Sequence, residues 1–374
     1  MTIILDSNRL ISTFFSLVAI DNPSLQERAM ADEMIRLFAE LDIFLDEDNA
    51  GSRIGGTAGN LFGRIEGTGS LATSPPILLS GHLDSVNPAI GKKAILRDGT
   101  ITSDETTVLG ADDLAALTAI YEAIRYIKEQ QLPHRPLELL FSTAEELYDL
   151  GIEQFDFSKL ESKEAYIIDA NGEIGSFIYQ APSIISFSFT IHGKAAHAGF
   201  APEDGIHAIQ IVAHAASKSR LGRITKDTTV NIGEIIGGTG ANIIPASCTV
   251  KGEIRSYEHK EALSAFSRLE THFKTIAESA GATLESTRRI ALTAYSTPLD
   301  TPVVARLQAA ATDVGLSFIP KASFGGSDAN QLAAHGIAGV VLSCGFQNAH
   351  STKECITVDD LYKTTQLLIA LITR

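Results

Sequence analysis

Apolar residues recur at helical spacing through the opening of the chain: Leu10, Phe14 and Leu17, then Ala29, Met34, Leu37 and Leu41. That period predicts two amphipathic helices within 6–45. The break falls at Asn22-Pro23-Ser24, where Ser24 and Glu27 offer a capping box for the second helix. Further on, 77–79 reads as a short apolar strand, and Asp98-Gly99 as the hairpin turn between strands at 94–97 and 100–103. Residues 114–128 read as a helix with Leu117, Ile120, Tyr121, Ile124 and Ile127 on one side, and 137–141 and 165–168 as strands. Strands alternating with helices predict a sheet covered by helices.

The middle of the chain changes character. Residues 184–192 alternate as a strand, 205–219 read as a helix, and 229–236 and 246–255 as two strands. Residues 260–279 are again helical and 283–290 form a last strand. The order β-α-β-β-α-β is the ferredoxin-like plan. After Thr297-Pro298 the earlier style returns, with a helix at 303–314 and a strongly apolar strand at 339–343. The expected architecture is an α/β/α sandwich with a mixed, mostly parallel sheet, built from residues 1–181 and 295–374. A smaller ferredoxin-like domain is inserted at 182–294.

Composition narrows the partners. Lys and Arg total 30 against 45 Asp and Glu, a formal charge of −15. Such a surface repels phosphate backbones and anionic lipid, so neither nucleic acid nor membrane is an expected partner. Cys248, Cys344 and Cys355 form no C-x-x-C pair, which argues against a disulfide framework and a thiolate zinc site. With no leader-like N-terminus and no long apolar run, a cytoplasmic location is expected.

The chemistry gathers where apolar segments end. The strand at 77–79 runs into Gly81-His82-Leu83-Asp84; 108–110 leads to Asp112 and Asp113 at a helix start. The strand at 139–141 leads to Glu145 and Glu146, that at 166–168 to Asp169, and that at 340–342 to His350 through a glycine-containing loop. Ligands of open α/β sheets bind beyond the carboxyl ends of the strands, so these groups can converge in one crevice. Taken singly, several have plain structural explanations. Asp112 or Asp113 could cap a helix, Thr143 with Glu146 fits a capping box, and Asp169-Ala-Asn-Gly172 fits a turn. His82 and Asp84, two apart on a strand, share a face, so the carboxylate can orient the imidazole while its other nitrogen holds a metal. Two histidines and three carboxylates suffice for two Zn²⁺ or similar ions sharing one carboxylate. Glu145, beside Glu146, is then free to take a proton from water and pass it to a leaving amine. The loose fingerprint Gly67-x-Gly69-x-x-Ala72 meets Pro75-Pro76 before any helix can form and reads as a loop, not a nucleotide site.

The sequence resembles the co-catalytic zinc exopeptidases and amidohydrolases that include peptidase T, glutamate carboxypeptidase, succinyl-diaminopimelate desuccinylase and aminoacylase. The resemblance runs over nearly the whole chain. It rests on Gly81-His-Leu-Asp84, Gly110-Ala-Asp-Asp113, Glu145-Glu146, Asp169, Gly193-Lys-Ala-Ala-His197, Asn242-Ile-Ile-Pro245 with Arg255, Gly325-Gly-Ser-Asp-Ala-Asn330, and His350-Ser-x-x-Glu354. It implies that Asp112 bridges two metals, with His82 and Asp169 completing one site and Glu146 and His350 the other. Asp84 would orient His82, and Glu145 would be the general base.

The same resemblance makes the inserted domain a lid and a homodimerisation module. It implies that His197 stabilises the oxyanion, acting within its own chain or from the partner, and that Asn242 and Arg255 hold substrate polar groups and the terminal carboxylate. Gly326 and Ser327 join them as substrate-binding residues. The wording is most similar to peptidase T, which removes N-terminal residues from tripeptides. One departure is Leu114, where peptidase T-like sequences commonly have Lys two residues after the bridging Asp. The expected activity is therefore metal-dependent release of the N-terminal residue of short peptides. N-acyl amino acid amidohydrolase or carboxypeptidase activity on the same fold stays open, as does a non-catalytic peptide- or amino-acid-binding protein.

Overall fold

The computed structural model describes residues 3–374. The chain divides into two compact units, one comprising the residues up to Gln180, Ser296–Ser323 and Ser327–Arg374, the other Ala181–Tyr295 with Phe324–Gly326. Gly326 and Ser327, adjacent in sequence, thus fall in different units.

In the first unit the strands before the insertion are β1 (Leu45–Glu47), β2 (Leu61–Ile65), β3 (Ile77–His82), β4 (Ile95–Arg97), β5 (Thr100–Thr102), β6 (Leu137–Ser142), β7 (Glu164–Ala170) and β8 (Ser176–Ala181). The second unit holds β9 (Ser183–His192), β10 (Gly222–Thr225), β11 (Thr228–Gly237), β12 (Ser247–Ser256) and β13 (Thr283–Leu292). The chain then returns with β14 (Tyr295–Ser296), β15 (Ile319–Ala322), β16 (Ala338–Ser343) and β17 (Cys355–Thr357). The helices are α1 (Ser7–Val18), α2 (Arg28–Ala39), α3 (Ala50–Ile54), α4 (Ala111–Glu129), α5 (Ala208–Lys218), α6 (His259–Ser279), α7 (Pro302–Asp313), α8 (Asp328–Ala334) and α9 (Val358–Ile372).

The main sheet runs β1-β2-β6-β3-β7-β16-β8-β14, with β15 beside β8. Its centre, β6-β3-β7-β16, is parallel, and antiparallel strands flank it. Parallel central strands are covered on both faces, which is why β3 and β6 are buried at every position. Neighbouring residues of β3 show the two covers. A Cβ on Gly81 would meet Asp113 and Ala116 of α4, whereas the Ser80 hydroxyl approaches Asp328 of α8. Successive side chains point to opposite faces, so α4 and α8 sandwich the sheet. Under α1, α2 and α4 the core is built by residues such as Phe14, Phe38, Tyr121 and Phe141, with Phe38 edge-on to Tyr121 at 5.7 Å.

The second unit has the expected β-α-β-β-α-β order with one further strand, β10, between α5 and β11. Its sheet, β10-β11-β12-β9-β13, is antiparallel throughout. Ile185, Phe187, Phe189 and Ile191, every second residue of β9, form the core with Ile211, Val212 and Ala215 of α5 and Phe266 and Phe273 of α6.

Several local expectations are corrected. Ser24 does not cap α2: its hydroxyl donates to Asp84 at 2.7 Å, and Glu27 stands at the helix start without a side-chain cap. Ala29 is exposed and Met30 takes its place in the core, because the buried stripe of α2 runs Met30, Met34, Leu37 and Phe38. Residues 108–110 form a loop, not a strand. The Gly67 segment ends in a single 3₁₀ turn at Gly69–Leu71, as a loop reading requires.

Candidate active site

The carboxyl ends of the parallel strands supply most of the site. His82 is the last residue of β3 and sits opposite Ser142, the last of β6, beyond which Glu145 and Glu146 begin a 3₁₀ turn. Asp169 lies within β7, so it is not a turn residue. Asp112 and Asp113 occupy the entry to α4 with non-helical backbone angles, and neither side chain caps it. Nor does the turn at Glu145 have a side-chain cap from Thr143. His350 comes from the loop after β16 and adopts φ 62°.

Five of the expected residues meet. His82 Nε2 lies 3.1 Å from Asp112 Oδ1 and 3.8 Å from Asp169 Oδ1. His350 Nε2 lies 3.3 Å from the other Asp112 oxygen, Oδ2, and 3.0 Å from Glu146 Oε2. One carboxylate therefore faces both histidines. The His82 side chain is buried, while that of His350 is 55% exposed, which leaves the cluster open on the His350 side. Asp113 also approaches: one of its oxygens lies within 4.8 Å of donor atoms of His82 and Asp169, and Oδ2 accepts the His82 backbone N–H at 3.1 Å.

The supporting contacts differ from the expectation at Asp84. His82 Nδ1 donates to the Asp84 backbone carbonyl at 2.9 Å, whereas the carboxylate Oδ1 is 3.4 Å away. That carboxylate instead accepts the backbone N–H groups of Glu145 at 3.0 Å and Glu146 at 3.3 Å. Glu27 holds the same turn from behind, accepting the Ala144 N–H at 3.1 Å. Asp328, buried in α8, accepts the Ser142 hydroxyl at 2.6 Å, and burial raises its pKa to about 6. The sequence suggests no role at the site for Glu27, Asp328 or Glu354, because their site partners Ala144, Ser142 and Asp112 lie far along the chain. Glu354 had a signal in its place four residues after His350.

The electrostatics call for cations. Asp112, Asp113, Glu145, Glu146 and Asp169 crowd around two imidazoles, and among the described residues no lysine or arginine pairs with them. Burial, then the neighbouring carboxylates, push Asp113, Asp169 and Glu145 well above the usual carboxylate range, with His82 opposing. Burial likewise raises Glu146. In Asp112 the burial penalty is outweighed by hydrogen bonds with His350 and His82, and its pKa falls. Hydrogen bonds to Asp112 and Glu146 raise His350 to about 10. Glu146 Oε1 and Asp113 Oδ1 are buried without a hydrogen-bond partner. Imidazole and carboxylate together suit Zn²⁺ or a similar ion, so the residues present fit a divalent metal centre.

The remaining expected residues lie elsewhere. His197 and Asn242 come together in the second unit, where the Ala198 N–H donates to the Asn242 carbonyl at 3.0 Å. His197 stacks on Phe200, and its Nδ1 accepts the Gly199 and Phe200 N–H groups at 3.1 and 3.2 Å. With Nδ1 accepting, Nε2 is left as the ring's donor. Arg255, in β12 of the same unit, forks onto Glu253 at 2.7 and 3.0 Å and donates to the Phe324 carbonyl at 2.8 Å. Gly326 belongs to the second unit, while Ser327 caps α8 in the first through a capping box with Asn330.

Comparison with known proteins decides the family. The peptidase dimerisation domain model matches residues 179–281, and the peptidase family M28 model matches residues 60–189. An uncharacterized Bacillus subtilis protein, YqjE, is 34% identical over 367 residues, 98% of each chain. The crystal structure of aminopeptidase PepT from Bacillus cereus superposes with a TM-score of 0.91 at 34% identity, covering 99% of this chain and 98% of that one. A Staphylococcus aureus tripeptidase gives 0.94 at 32% identity with the same coverage. The chain belongs to the peptidase T-like metallopeptidases. Membership in this peptidase T-like group fits both the sandwich with its inserted antiparallel domain and the donor cluster at the strand ends. Among the described residues no helix is long and apolar enough to cross a membrane.

Proposed function

We propose that this protein is a cytoplasmic, homodimeric aminopeptidase that holds two Zn²⁺ or similar ions per subunit and releases the N-terminal residue of tripeptides. The observation that carries the reading is the Asp112 carboxylate, whose two oxygens face His82 and His350 separately. Asp112 would be shared by the pair, with His82 and Asp169 holding one ion and Glu146 and His350 the other. A bound divalent pair supplies Lewis-acid charge and makes water nucleophilic near neutral pH. Among the described residues no group donates to the Glu145 side chain, and burial raises its pKa well above the usual carboxylate range. Both suit a base that takes the proton of the attacking water and returns it to the departing amine. The His197 Nε2–H is the donor for the carbonyl oxygen as it gains charge. Asn242, Gly326 and Ser327 hold substrate polar groups, and Arg255, whose fork Glu253 occupies, exchanges that carboxylate for the terminal one. The tripeptide preference is supported by the B. cereus aminopeptidase and the S. aureus tripeptidase, and the dimer by the dimerisation-domain match. The three free cysteines agree with a reducing compartment.

The test is a panel of di- and tripeptides with free and blocked amino termini, assayed with metal analysis. Release of the N-terminal residue from free tripeptides, lost on blocking, is expected. Turnover that requires the block would make the enzyme an N-acyl amidohydrolase instead.

A further inference from the structure

Glu354 is buried, lies in the loop that follows His350, and has no part in the reaction proposed above. Its two carboxylate oxygens are both committed to main chain at the entry of α4. Oε2 accepts the Gly110 N–H at 2.7 Å and Oε1 the Asp112 N–H at 2.9 Å. Both donors are free N–H groups at a helix start, where no preceding turn supplies acceptors. Gly110 presents its N–H with φ 74°, and a Cβ there would come within 2.9 Å of the Ser85 hydroxyl. Gly110 is thus the helix's N-cap residue, with Asp112 in distorted backbone just beyond.

We propose that Glu354 is a positioning residue: it clamps the Gly110–Asp112 main chain so that one carboxylate stays shared between His82 and His350. The same short loop carries His350 and Glu354, so the clamp ties the exposed imidazole to the strand of backbone that presents its partner. Metal ligands depend on such buried hydrogen-bonding neighbours for orientation. The inference rests on the dimetal reading above, but its contacts belong to the chain itself.

Glu354→Gln tests it, because glutamine has the same shape but only one accepting oxygen. Its amide NH₂ would confront the other backbone N–H. The readouts are Zn²⁺ affinity against a chelator of known strength, kcat and KM separately, and hydrogen exchange at Gly110 and Asp112 in metal-free protein. Expected are a loss of about 10–100-fold in affinity for at least one equivalent, a lowered kcat with KM unchanged, and faster exchange at those amides. Unchanged Zn²⁺ affinity in E354Q overturns the proposal, whatever the exchange shows. Should E354Q not fold, wild-type exchange decides: protected Gly110 and Asp112 amides support the clamp, and freely exchanging ones refute it. If the wild type hydrolyses no peptide at all, the peptidase reading fails while affinity and exchange still judge Glu354.

Discussion

The Asp84 carboxylate accepts the backbone N–H of Glu145 at 3.0 Å, joining the end of β3 to the acidic doublet after β6. Its second oxygen takes the Ser24 hydroxyl and the Glu146 N–H. The imidazole of His82 is oriented by the Asp84 main chain, and the doublet by the Asp84 side chain. These two tasks can be separated experimentally. Asp84→Asn keeps the carbonyl that His82 uses and removes one acceptor from the doublet. We expect kcat to fall by about 10–100-fold with Zn²⁺ content unchanged. Metal loss in step with activity would show that the side chain serves His82 after all.

Glu145→Gln separates binding from chemistry. Glutamine cannot take a proton, so hydrolysis should drop by at least about 10²-fold while both metal equivalents remain. The check is metal content by mass spectrometry alongside turnover of a free tripeptide. Retained hydrolysis would reject Glu145 as the base.

Metal binding should release protons. In the metal-free protein hydrogen bonds to Asp112 and Glu146 raise His350 to about 10, so it carries a proton at neutral pH, and His82, although burial opposes it, is raised by Asp112 and Asp84. Burial also keeps Asp169 and Glu145 protonated above the usual range. Ligands bind metal deprotonated, so affinity falls as pH falls and rises as pH rises. Calorimetry of Zn²⁺ binding in buffers of different ionisation enthalpy should show net proton release at pH 7. A binding enthalpy independent of the buffer would contradict these protonation states.

Gly151 tests the packing behind the doublet. A Cβ there would lie 1.9 Å from the Thr143 carbonyl oxygen, two residues before Glu145. Gly151→Ala should destabilise the fold by about 1–3 kcal/mol and reduce activity by shifting the turn. Chemical denaturation and steady-state turnover check both effects. A variant as stable and active as the wild type would show that the turn yields freely.

Much of the fold follows from local pattern. The alternation of β9 and the long apolar face of α4 each state their own structure, and the β-α-β-β-α-β order identifies the smaller unit. Strand β10 escaped because its four residues are mostly exposed and have no apolar alternation to reveal them. At the site, the donors announced themselves by residue type at strand ends, and their convergence follows from the parallel sheet. What lay outside local reasoning were hydrogen bonds between distant segments. Glu354 reaches a backbone N–H 242 positions away, and Ser24 spends its hydroxyl on Asp84 instead of on its own helix. Main-chain acceptors are equally invisible, so the sequence points to the Asp84 carboxylate where the nearer acceptor of His82 Nδ1 is the Asp84 carbonyl.

Crystals grown with Zn²⁺ and measured at the zinc absorption edge test the central claim most directly. The account predicts two anomalous peaks per subunit about 3.5–4 Å apart, one between His82 and Asp169, one between His350 and Glu146, with Asp112 touching both. A single peak, or two that share no carboxylate, would contradict it.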